Sequence, residues 1–214
     1  MTAALLTLAD SRLPAGGHTH SGGVEQAIAE GVVHDPGSLA TFLRRRLATA
    51  GVVAAGLAAA ACAGDDLAVL DAETDARTPS PALRAASRQQ GRGLVRVGRR
   101  AWPSGAWDAL PAQPHHPIAL GVAAAAGGLT PRDAAQAAAY LSISGPATAA
   151  QRLLAMDPLT VAAVTARLSP EVDAAAGAAG SDPCRAHTLP AATDPLLDLL
   201  AEVHAARKDR FFAS

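Results

Sequence analysis

Residues 8–25 read L-A-D-S-R-L-P-A-G-G-H-T-H-S-G-G-V-E, which crowds two acids, two serines and two histidines into one short stretch. Side chains of these types carry nucleophilic catalysis when a histidine takes the proton of a serine and an acid orients the ring. Ser21 follows His20 directly and Asp10 is nearby, but adjacency along a chain is not triad geometry. The G-x-S-x-G elbow is missing, and the glycines do not form the G-x-x-x-x-G-K-[ST] cradle for phosphates. No residue is assigned a catalytic role, and the stretch reads as built for shape.

Metal binding is the second chemistry that these residues raise. His18 and His20 form H-x-H, His115 and His116 are adjacent, and His204 stands alone near the carboxyl end. A closed site needs several donors with groups behind them that fix their orientation, and neither H-E-x-x-H nor a C-x-x-C pairing of Cys62 and Cys184 is present. Each histidine is therefore expected to be structural, and neither a metal nor another cofactor is expected. Transient metal contact at His18 and His20 is the alternative.

Two further stretches have chemistry of binding rather than of reaction. Arg84, Arg88, Arg92, Arg96 and Arg100 recur every four residues, and each step turns a helix by about 400°, so they form one slowly winding stripe. Asp65, Asp66, Asp71, Glu73 and Asp75 precede it, so the stripe either pairs with its own acids or receives an acidic partner surface. At the end of the chain, Arg207-Lys208-Asp209-Arg210 leads into Phe211-Phe212-Ala213-Ser214. Terminal Phe and Arg either anchor in a partner's pocket or tuck back on their own core.

The elements that must position these residues follow from composition and punctuation. The chain has 214 residues, half of them apolar but only six aromatic, with alanine abundant, which predicts closely approaching helices in one all-α domain spanning 1–214. A cap residue followed by proline occurs at Asp35-Pro36, Ser80-Pro81, Thr130-Pro131, Asp157-Pro158, Ser169-Pro170 and Asp194-Pro195. The cap oxygen accepts from an orphan amide, while proline supplies a helical φ and has no N–H to waste. About ten helices result, over 2–9, 21–31, 36–63, 65–76, 81–102, 117–127, 131–155, 158–168, 170–179 and 195–208. Gly145-Pro146 is expected to kink or split the seventh. Residues 103–117 and 177–194 read as surface loops.

A net charge of −1 excludes a global field that draws the protein to nucleic acid or membrane. The uncharged runs 47–64 and 134–151 approach the roughly 17 residues of a membrane span, but they are mostly alanine and read as buried helices. With no signal-peptide pattern, a reducing cytoplasm is the expected compartment.

Taken together, the motifs resemble those of the urease accessory protein UreF family. Asp10-Ser11, Pro14, Gly16-Gly17, His20-Ser21-Gly22-Gly23 and Glu25 are similar to its D-S-x-x-P-x-G-G-x-x-H-S-x-G-x-E signature. Ser87, Gly91 and Leu94, then Tyr140-Leu141 with Ala150 and Arg152-Leu153, follow in family order. Pro195-Leu196, Asp198, His204 and Arg210-Phe211-Phe212-Ala213-Ser214 close the match. Two departures stand out: His18 replaces a usual aromatic, and Ala155-Met156-Asp157-Pro158 replaces P-L-G-Q.

The resemblance implies a non-enzymatic, cytoplasmic chaperone of nickel insertion that forms a homodimer. It would bridge UreD (also called UreH) and the GTPase UreG on the urease apoenzyme. By the same analogy, Arg210, Phe211, Phe212 and Ser214 would become ordered on binding UreD. Ser11, Gly17, His20, Ser21 and Glu25 would shape a shared partner surface, with Arg152 beside it. Glu25, in the first turn of its helix, is expected to cap the turn together with Ser21.

Overall fold

The computed structural model describes residues 3–10, 12–180 and 188–214, so Ser11 and Cys184 lie outside the described residues. Among those described there are helices and turns and no strand. The helices are α1 (Ala3–Ala9), α2 (Val24–Ala29), α3 (Pro36–Arg46), α4 (Val52–Ala63), α5 (Leu67–Ala76), α6 (Pro81–Ala101), α7 (His116–Ala126), α8 (Pro131–Leu153), α9 (Pro158–Arg167), α10 (Ser169–Gly180) and α11 (Pro195–Ala206). A π-turn over Leu47–Gly51 joins α3 to α4, so Pro36–Ala63 runs as one helix of 28 residues.

The α4 half of that helix is the axis of the bundle. Its Ala55 and Ala59 belong to one apolar cluster, Ala58 to a second, and Val53, Leu57, Ala60 and Ala61 to a third. A helix that is apolar all round must be covered all round, and α7, α8 and α10 cover it. Pro36–Ala63 is long and apolar enough to cross a membrane, yet 56% of its apolar window is buried inside the protein. Alanine and glycine make the packing possible by letting backbones touch: a Cβ on Gly121 of α7 would stand 2.6 Å from Ala61 Cβ and 2.9 Å from the amide of Cys62. Gly121→Val is therefore expected to lose about 1–3 kcal/mol by overpacking, read as a lower urea midpoint with an unchanged slope.

The cap-and-proline starts hold at five of the six positions. Asp35 and Thr130 form reciprocal capping boxes with Ser38 and Asp133, while Ser80, Asp157 and Asp194 accept from amides of their first turns. The sixth differs, because α10 begins at Ser169 itself, directly after Leu168 ends α9. Each cap acts within three residues, which is why local spacing was enough to find it.

Pro146 does not split its helix: α8 runs from Pro131 to Leu153 without a break. The proline removes the amide that would have bonded the carbonyl of Ser142, four residues earlier. Arg46 Nε donates to that carbonyl instead, at 2.8 Å. A side chain from α3 thus repairs the ladder where the proline opens it.

The segment 103–117 is not a loose surface loop. It contains a 3-10 turn over Gly105–Ala109, and Trp107, only 1% exposed, lies against Gly98 of α6. His115 is fully buried. The expected 177–194 loop is helical through Gly180, has Leu189 buried, and otherwise lies outside the described residues over 181–187.

Pairing with the acids of α5 accounts for two of the five arginines of the stripe. Arg88 reaches Asp71 at 2.9 Å and Asp75 at 2.6 Å, and Arg84 lies 3.9 Å from Asp75. His115 completes the group: its amide donates to Asp71 and its Nε2 meets Asp75 at 2.9 Å. Burial works to raise the Asp75 carboxyl, but the bonds from His115 and Arg88 outweigh it and hold the group below the usual carboxylate value. Arg92 bonds Gln113, farther along the stripe, rather than an acid.

Candidate functional site

The glycine-rich loop and the carboxyl-terminal tail come together in a single chain. After α1 the loop passes through a 3-10 turn at Gly17–Thr19, and Gly22 and Gly23, with φ of +61° and +89°, turn it into α2. That turn carries Glu25 to the inner side of α2, where it is 4% exposed. The Glu25 carboxylate there accepts the Phe211 amide on Oε1 at 2.8 Å and the Phe212 amide on Oε2 at 3.0 Å. His204 of α11 meets the same Oε2 through Nε2 at 2.9 Å.

Burial pushes the Glu25 carboxyl up, and the two tail amides with the His204 ring more than reverse it, so the group stays below its ordinary value of 4.5. It is ionised at neutral pH, which makes His204 Nε2 a donor to it. The remaining contacts zip tail to loop. Ala213 donates to the Thr19 carbonyl at 2.7 Å, Ser21 donates its amide to the main-chain oxygen of Ser214, and Ser214 Oγ bonds His20 Nδ1 at 2.6 Å. Arg207 adds a bond to Gln26 at 3.1 Å.

This arrangement revises two expectations. The tail is already placed without a partner, with Phe212 packed against the largest apolar cluster while Phe211 stays 86% exposed. The capping contact with Ser21 forms on one side only: Ser21 Oγ accepts the Glu25 amide at 3.4 Å, while the Glu25 carboxylate is spent on the tail. Of the predicted surface residues, His20, Ser21 and Glu25 are buried as the floor of the joint. Gly17, Arg152, Arg210 and Phe211 are exposed, and Ser214 and Phe212 are half-buried. The solitary His204 was not singled out as the partner of Glu25, since 179 residues separate them; its spacing of four and seven residues from Leu200 and Leu197, both buried, was the signal of an inward face.

Beside the joint lies a cavity of about 510 Å³ between the loop, α3, α6, α7 and α8. His20, Arg46 and His116 line it. Burial and the neighbouring His18 push His20 down to about 4, and burial and the neighbouring His20 push His116 down to about 4. Both rings are neutral at pH 7. Among the described residues no cluster of three or more metal-donor side chains occurs.

A profile of the UreF family matches residues 33–169. The urease accessory protein UreF of Mycolicibacterium vanbaalenii is 54% identical over 216 residues, covering 99% of this chain and 98% of that protein. The chain belongs to the UreF family. The UreF of Mycobacterium marinum is 53% identical over 214 residues, and that of Mycobacterium tuberculosis is 49% identical over the same length, each with 99% of this chain and 98% of the relative covered. In this UreF-family chain Glu25 is the bolt between loop and tail.

Proposed function

We propose that this UreF-family chain is an adaptor in urease maturation, a cytoplasmic, non-enzymatic homodimer that binds UreD/UreH and UreG and helps nickel reach the urease apoenzyme. The observation that carries the reading is the joint of loop and tail. Glu25 fixes the main chain of Phe211 and Phe212, so that one ring is spent on the protein's own core and the other is held outward at 86% exposure. An aromatic held out on a pinned backbone loses little conformational freedom when a partner covers it. Gly17 and Arg210 are exposed, Ser21 and Ser214 bond across the joint, and Arg152 lines the neighbouring cavity.

Co-purification with UreD and UreG, with masses from light scattering, tests the reading directly. Gly17→Val sharpens it. A Cβ at Gly17 meets nothing within 4 Å, so stability should change by no more than about 0.5 kcal/mol while partner capture weakens about tenfold. Full recovery of both partners by this variant would remove the loop from the interface. Stoichiometric, tight nickel binding by the isolated chain would favour a carrier using His18 and His20 instead.

A further inference from the structure

Arg46 performs one structural task and leaves most of its guanidinium unused. Its Nε repairs the helix at Ser142, but among the described residues neither Nη1 nor Nη2 has a hydrogen-bond partner and no carboxylate pairs with the group. Arg46 is half-buried and lines the cavity, so its unpartnered nitrogens remain within reach of a small solute. Burial pushes Arg46 down to about 10, which still leaves it charged at pH 7.

A half-buried guanidinium with no carboxylate beside it keeps two donors free for an anion that enters the cavity. The acids that also line the cavity do not supply the counter-charge. Asp10 is held by Arg12 and Asp194 by Arg45, and no ion pair joins Asp198 to Arg46 among the described residues. The loop passes close to the cation and to the helix it mends: a Cβ at Gly22 would lie 2.7 Å from Pro146 Cγ, 3.2 Å from Arg46 Cζ and 3.3 Å from Nη2. Two more nitrogen bases, His20 and His116, line the same space, and both gain from a nearby anion because it would offset the burial that keeps them neutral.

We propose that this cavity binds a small free oxyanion of the phosphate or carboxylate class, gripped by the Nη1/Nη2 fork of Arg46 with His20 and His116 beside it. A guanidinium presents two parallel donors that match two oxygens of such an ion. Ser87 can contribute a further hydroxyl donor, because its oxygen already accepts from the His116 amide and its proton remains to be given.

The test is a titration of the full chain with inorganic phosphate and, separately, with acetate, against chloride at matched ionic strength. Histidine ring resonances are followed as a function of pH. Saturable binding should raise the midpoints of His20 and His116 by about one pH unit, with chloride ineffective. Whichever of phosphate and acetate saturates at lower concentration identifies the class. Arg46→Gln should abolish the response and Arg46→Lys should weaken it about tenfold. Because Arg46→Gln also strips Ser142 of its donor, the substitution is repeated with Pro146→Ala, which returns an amide to that carbonyl. An equal response to chloride, no saturation in the wild-type chain, or a full response in the folded Arg46→Gln, Pro146→Ala chain would each overturn the site.

Discussion

Glu25→Gln should lower the stability of the chain by about 3 kcal/mol, a fall in Tm of roughly 6–12 °C for a protein of this size. The carboxylate accepts three bonds on two oxygens, from Phe211, Phe212 and His204. An amide offers one oxygen, and its NH2 would face the donors that Oε2 now receives. The lost bonds are those that hold the tail, so the variant should also become sensitive to proteolysis beyond α11 while α-helical circular dichroism is retained. Acid should mimic the substitution. The folded-state pKa of Glu25 lies below 4.5, so its contribution is fully present above that ordinary value and disappears as pH falls through the lower folded value. The gap between wild type and Glu25→Gln should accordingly be widest near neutral pH and close in acid; a constant gap would show that charge on Glu25 is not what binds the tail.

Phe211→Ala and Phe212→Ala should part company completely. Phe211 is 86% exposed and its bond to Glu25 is made by the backbone, so Phe211→Ala should leave melting unchanged. Under the proposed adaptor role, the same variant should lose UreD/UreH capture about 30-fold or more, the effect of removing an aromatic anchor. Phe212 packs on the main apolar cluster, and Phe212→Ala should cost about 2 kcal/mol of stability. Deleting residues 210–214 combines both losses: helical signal persists, Glu25 is left with His204, and capture is abolished. If Phe211→Ala binds UreD/UreH as wild type does, the exposed ring is not the anchor and the tail serves its own fold alone.

These two experiments turn on a question that the residues alone left open, whether the aromatic end tucks back or reaches out. The geometry answers with a division of labour between neighbouring rings. The chain bends at both phenylalanines, so their adjacent amides reach one carboxylate while one ring packs inward and the other stays exposed. The arginine stripe resolves in a similar way. Arg84 and Arg88 find acids on α5, whereas Arg92 bonds an amide side chain beyond the reach of those acids.

Much of the bundle was legible in the chain because its signals are local. A cap and the amide it satisfies lie within three residues, a proline marks the turn it begins, and uniform alanine over residues 47–64 implies a helix hidden on every side. The UreF motifs, spread in order from Asp10 to Ser214, named the family without any knowledge of contacts. Glu25 was visible as a member of the site but its role was not. Its position in the first turn of α2 suggested a cap, and only the arrival of α11 and the tail offered its carboxylate better donors. Arg46 and Ser142, 96 residues apart, gave no sign of being partners. Pro146 announced an unsatisfied carbonyl, but whether the helix would break or be mended depended on which side chain the packing brought there. Sequence settles the groups whose partners are near neighbours, since backbone geometry alone brings them together. Tertiary structure decides the rest, because a buried charge must take its partner from whatever the fold places beside it.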